Sequence, residues 1–133
     1  MKRSILAVVA GLIVWIVVVS LFNRGLRIAM AGYAAAEPTM SFTLGMLGAR
    51  LTIGALSSLA AGAVAAWIAP TSRAVPPVLG AVLLLAFIPV HARLWGLFPL
   101  WYHLVFLGTL VPLVVLGSSL VRLRLSAPAP ARP

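Results

Sequence analysis

The chain has 133 residues, 63% of them hydrophobic and 8% charged, with a formal net charge of +9. Soluble domains average about 45–50% apolar and about 25% charged residues, and small ones bury only about two-thirds of their unfolded surface, so a water-borne globule is excluded. With no cysteine, and Glu37 as the only acid, disulfides, thiolate chemistry and paired-carboxylate catalysis are excluded too.

The bilayer is then the solvent. A membrane helix needs about 20 predominantly apolar residues, each rising roughly 1.5 Å across about 30 Å of hydrocarbon. In lipid every backbone N–H and C=O must be satisfied within its segment or in a closed barrel, and strand-like alternation is absent here. The expected fold is all-α: an integral membrane four-helix bundle, up-down-up-down, forming one domain over residues 1–121.

Residues 4–22, "SILAVVAGLIVWIVVVSLF", are the first expected span. Lys2 and Arg3 precede it as in a signal peptide, but signal cores run to only about 7–15 residues, which predicts an uncleaved signal anchor. Residues 23–40 read as a loop carrying Arg24, Arg27 and Glu37. Pro38 is expected to open the second span (41–69), because proline in a first helical turn costs no hydrogen bond. Within that span Gly54, Ser58, Gly62 and Ala66 recur at intervals of four, stacking on one helix face where a neighbouring backbone can come close. The stripe predicts helix packing inside the bundle, with self-association as the alternative. Ala7 and Gly11 offer a shorter version on the first span.

Arg50 is the one charge inside an apolar run. It is expected near the membrane interface, its guanidinium snorkelling among headgroups. The functional alternatives are contact with an anion or lipid phosphate, or pairing with Glu37.

"PTSRAVPP" (70–77) is a tight turn. The third span (76–90) is short, and Pro89 is expected to end or kink it. "HARLWGLFPLWYHL" (91–104) leads into the fourth span (100–121). Its Trp95, Trp101 and Tyr102 belong in an aromatic belt at the membrane surface, with Arg93 placed among headgroups as a second contact for an anion or lipid phosphate.

His91 and His103 flank this hairpin. Two histidines on separate membrane helices can ligate haem iron or shuttle protons, which makes them the candidate cofactor-binding residues. Neither has a neighbouring carboxylate to orient its ring. The preferred expectation is a pair of interfacial histidines hydrated by water and lipid, with no cofactor and no metal. Residues 122–133, "RLRLSAPAPARP", are expected to be a basic, proline-rich, disordered cytoplasmic tail.

Basic residues flank the spans unevenly: Lys2, Arg3, Arg73, Arg122, Arg124 and Arg132 on the side of the termini, and Arg24, Arg27 and Arg93 on the other. This bias predicts both termini in the cytoplasm and the inner membrane as the location. Anionic headgroups are the expected lipid partner. The charges punctuate apolar runs and form no stripe, so no nucleic acid is expected.

"GYAAAEP" (32–38), "GALSSLAAGAVAAW" (54–67) and "FPLWYHLVFLGTLVP" (98–112) resemble small four-helix inner-membrane proteins of proteobacteria. The resemblance implies the fold and the location and brings no activity with it. No span contains Asp or Glu, which excludes the membrane-embedded acid of a proton-coupled exporter. "GMLGAR" (45–50) departs from the GxxGAxxR signature of small fluoride channels, because its arginine arrives two residues early.

The sequence therefore predicts a non-enzymatic multi-pass membrane protein, a structural or accessory component that assembles with itself or with other membrane chains. The alternative is a small haem-binding or anion-conducting protein using His91, His103 or Arg50.

Overall fold

The structure, a computed structural model, describes residues 1–126. Five helices follow one another: α1 (Lys2–Ala29), α2 (Tyr33–Ala36), α3 (Leu44–Ile68), α4 (Val75–Arg93) and α5 (Leu100–Leu125). No strand occurs among the described residues. All but α2 are long and apolar enough to cross a membrane.

Several boundaries differ from those read off hydropathy. α1 continues past Phe22 for another two turns, and its 28 residues span about 42 Å, well beyond the hydrocarbon. Hydropathy marks where lipid stops, whereas a helix stops where its hydrogen bonds can no longer continue. "NRGLRIA" contains no proline, and Arg27 suits the negative end of the helix. The backbone reverses at Gly32, whose φ of 78° a side chain would disfavour.

Pro38 does not open α3. It lies in a turn, and the helix begins after Thr43, whose hydroxyl accepts from the Met46 N–H at 3.3 Å. A capping oxygen satisfies an orphan N–H of the first turn, which proline cannot do. Nor does Pro89 end α4, which carries on to Arg93. The fourth span reaches Leu125, so Arg122 and Arg124 are helical, and the expected tail from residue 127 onward lies outside the described residues.

Contacts along the helices set the topology. Arg3 at the start of α1 donates to the Ile68 carbonyl at the end of α3, and Trp15 Nε1 donates to Ser58 Oγ at 3.0 Å midway, so these two helices are antiparallel. α4 and α5 are antiparallel too, with Gly80 against Val111 and His91 against His103. α3 and α5 run parallel, Gly54 facing Phe106 and Gly62 facing Val114. The result is the up-down-up-down bundle.

The tightest contact joins α3 and α5. A Cβ on Gly62 would overlap the Val114 carbonyl, and one on Gly117 would overlap the Leu59 carbonyl. The stripe Gly54, Ser58, Gly62 and Ala66 is buried throughout, directed into this bundle against α1 and α5. Ala7 and Gly11 of α1 are buried as well, with Gly11 against Leu79. Ser57 and Ser58 return their hydroxyls to the carbonyls of Ile53 and Gly54, so each adds little bulk and no unsatisfied donor. Large apolar side chains such as Ile5, Ile13, Ile16, Leu85 and Leu104 point outward. A surface so apolar is stable where lipid takes the place of water.

Gly62→Ala should destabilise the bundle by about 1–3 kcal/mol or more, because the atom it meets is backbone. Gly108→Ala, whose added Cβ meets nothing within 4 Å, should be neutral or stabilising by up to about 1 kcal/mol. Thermal unfolding in detergent compares them, and equal effects would contradict the assigned helix contact.

Candidate ligand cavity

The end of the bundle away from the termini holds the polar groups. They form a directional chain of hydrogen bonds. Arg50 Nη1 donates to the Tyr33 hydroxyl at 2.9 Å, and that hydroxyl donates to Asn23 Oδ1 at 2.7 Å. Asn23 Nδ2 then donates to Glu37 Oε1 at 3.1 Å, while Arg27 Nε pairs with Glu37 Oε2 at 2.6 Å. Glu37 is thus the sink of the network. Partial desolvation favours its neutral form, but hydrogen bonds from Asn23 and Arg27, with the charges of Arg27 and Arg50, outweigh this and hold its carboxyl below the usual range.

α2 has a role in this chain that hydropathy could not reveal. Its Tyr33 is fully buried and connects α1 to α3 through its hydroxyl. Arg50 does not snorkel outward as expected. It is half-buried, with its guanidinium 4.6 Å from the centre of the Phe42 ring and its Nη1 on Tyr33. Glu37 is not its direct partner, because Arg27 and Asn23 occupy both carboxylate oxygens. The Nε–H groups of Arg50 and Arg122 are buried with no hydrogen-bond acceptor among the described residues.

Arg50 lines a cavity of about 290 Å³ between α1, α3, α4 and α5. Trp15, Ile53, Phe87 and Phe106 form its apolar inner part, and Asn23, His91 and Tyr102 join Arg50 in the polar part. Ser20 of α1 and Val90 of α4 also line it and are exposed, so its mouth lies between those two helices. Arg93 is exposed and takes no part in the lining.

The histidines are not hydrated interfacial residues. His91 is 4% exposed and His103 fully buried, and their Nδ1 atoms lie 2.8 Å apart, so one ring donates to the other. Tyr102, expected in the aromatic belt, is 3% exposed and stacks on His91, while the outward-facing Trp95 stacks on His103. The reason is the shortness of the connection between Arg93 and Leu100, which folds the two helix ends directly onto each other. Positions 91 and 103 are symmetric about the middle of that turn, a signal the sequence did contain. His103 Nε2 is buried without a partner among the described residues. Axial ligation of one haem iron by both rings, with the nitrogens on opposite sides at about 2.0–2.1 Å each, would need a gap near 4 Å, wider than the one between these Nδ1 atoms.

Compared with family models, with curated proteins and with solved structures, the chain matches none.

Glu37 also sets a pH dependence. Its carboxyl titrates lower in the folded chain than in the unfolded one, so its contribution is complete above the unfolded value and disappears as pH falls through the folded value. Glu37→Gln should therefore lower the melting temperature at neutral pH, with the gap to wild type closing in acid below the ordinary carboxylate range. A gap indifferent to pH would contradict the network.

Proposed function

We propose that this is a non-enzymatic multi-pass protein of the bacterial inner membrane, an accessory component of a membrane assembly that holds an anionic group at Arg50. The uneven basic flanks and the resemblance to proteobacterial four-helix proteins support this location, with both termini in the cytoplasm and the cavity at the periplasmic end. One observation carries the anion: Arg50 lines a cavity inside the bundle while the only acidic side chain of the chain is engaged by Arg27 and Asn23.

A guanidinium withdrawn from water without a counter-charge is costly, and its hydrogen bond to a neutral phenol returns only part of that cost. An arriving anion supplies the missing counter-charge and a charged acceptor for the guanidinium. Such charge-assisted bonds are roughly twice as strong as neutral ones.

The conducting alternative is less favoured by the same geometry. The lining reaches no deeper than Trp15 and Phe106, and beyond them Ala61, Leu79, Leu110 and Val114 form a closed core. A cavity closed at its inner end holds a ligand better than it passes one. Haem fits less well still, because the histidine rings are bonded to each other.

Arg50→Gln keeps hydrogen-bonding capacity and removes the charge. In detergent at constant ionic strength, formate or nitrate should raise the melting temperature of wild type and leave the variant unchanged, since a ligand stabilises only the state that binds it. An equal response of both proteins would overturn the anion site. Cross-linking in native membranes should give species larger than the monomer; monomer alone would overturn the accessory role.

A further inference from the structure

We infer that the ligand of this cavity is an amphipathic monocarboxylate, an acid with one anionic head and an apolar body, which enters sideways between α1 and α4. This rests on the reading of the cavity as an anion site and narrows it to one chemical class.

The division of the walls sets the shape of the ligand. Tyr102 and His91 sit about one helical turn nearer the open end than Phe106 and Phe87, at the level of Arg50, and Trp15 lies deeper still, beside Ser58. A small inorganic ion would satisfy the first group and leave the second facing empty space or trapped water. Ligand sites usually combine an apolar lining with a few convergent polar groups, and a volume of about 290 Å³ stands at the small end of their range.

The charge of the ligand follows from the count of charges. Arg50 is a single cation, and the negative charge of Glu37 already faces Arg27. A monoanion neutralises Arg50, whereas a phosphate dianion would leave a net negative charge within apolar walls, which is costly. A carboxylate also offers two oxygens to the donors of a single guanidinium.

The route follows from exposure. α1 and α4 touch at Gly11 with Leu79 and at Trp15 with Phe87. Further along, Ser20 and Val90 belong to both the cavity lining and the outer surface. This window opens on the flank of the bundle, where α1 and α4 are apolar enough to face lipid. A carboxylic acid in the bilayer reaches Arg50 through it without crossing the polar cap formed by α2 and its connections.

The test uses the fluorescence of Trp15, which forms part of the wall, in full-length protein carrying Trp67→Phe, Trp95→Phe and Trp101→Phe. Hexanoate and benzoate should change it saturably, with hexanoate binding at least about tenfold tighter than acetate because its chain is buried. Hexanamide and benzamide should have no effect, and Arg50→Gln should weaken hexanoate by about tenfold or more. Val90→Phe, at an exposed position, should weaken binding without altering the melting temperature.

Dodecanoate distinguishes the sources. Binding at least as tight as hexanoate, with the same dependence on Arg50, identifies a bilayer-resident fatty acid; weaker binding identifies a shorter, water-borne one, and either upholds the carboxylate. Formate stabilisation through Arg50 with no advantage of hexanoate over acetate would overturn this inference and leave the anion site standing. Equal binding of amides and acids by wild type would overturn the carboxylate even if Arg50→Gln failed to fold. No saturable response to any of them would overturn both readings. Unchanged binding in Val90→Phe would overturn the lateral route.

Discussion

Two backbones touch where Gly62 of α3 meets the Val114 carbonyl and Gly117 of α5 meets that of Leu59, and the bundle is arranged around this contact. Lipid gives helices no hydrophobic reason to associate, so close approach of small residues has to supply the attraction. α3 is suited to the central place because Ala61, Gly62, Ala65 and Ala66 leave room on more than one side. α1 uses the same property, bringing Ala7 and Gly11 into the bundle. The chain is rich in large apolar residues, yet the ones that determine its architecture are small.

That contact also places the cavity. α3 and α5 are parallel, and they meet backbone to backbone toward the end that carries the termini. Farther from the termini, Gly54 faces the ring of Phe106 and not a carbonyl, so the axes are held a side chain apart. The widening continues to Arg50 and Tyr102, and the aromatic cluster of Phe87, His91, Tyr102 and Phe106 only partly fills it. A bundle closed at one end by glycine and propped open at the other by rings encloses space near its open end.

The transmembrane core was largely legible in the sequence, since a run of apolar residues of sufficient length has a single solution in lipid. The second span and the small-residue stripe within it needed only composition and a period of four. The cap was less legible, and for a physical reason. Outside the hydrocarbon, hydropathy no longer distinguishes helix from loop, so the extension of α1 to Ala29 and the short α2 carried no signal in it. Pro38 offered a plausible start that the stronger cap at Thr43 displaced. The site was hidden for a second reason, that its parts are distant in sequence. Asn23, Tyr33, Glu37 and Arg50 become neighbours only once α2 folds back over the bundle end. The pairing of His91 with His103 could have been anticipated from their symmetry about a short turn, had the hairpin been read as a contact and not as a membrane surface.

The arginines show how one residue type is assigned different tasks by what lies opposite it. At the end with the termini, Arg3 donates to the Ile68 carbonyl, an orphan acceptor at the negative pole of α3, and Arg122 donates to the Ser72 carbonyl in the turn between α3 and α4. Each of these guanidiniums has one backbone carbonyl as a partner, which ties the helix ends together at this end of the bundle. Arg27 has the one carboxylate. Arg50 sits six residues into α3, among carbonyls already engaged within the helix, and faces a phenol, an aromatic ring and a cavity. Neither the backbone nor an acidic side chain can complete its coordination there. Its position within the helix, more than its charge alone, is what leaves this arginine facing a cavity while the others meet a carbonyl or the carboxylate.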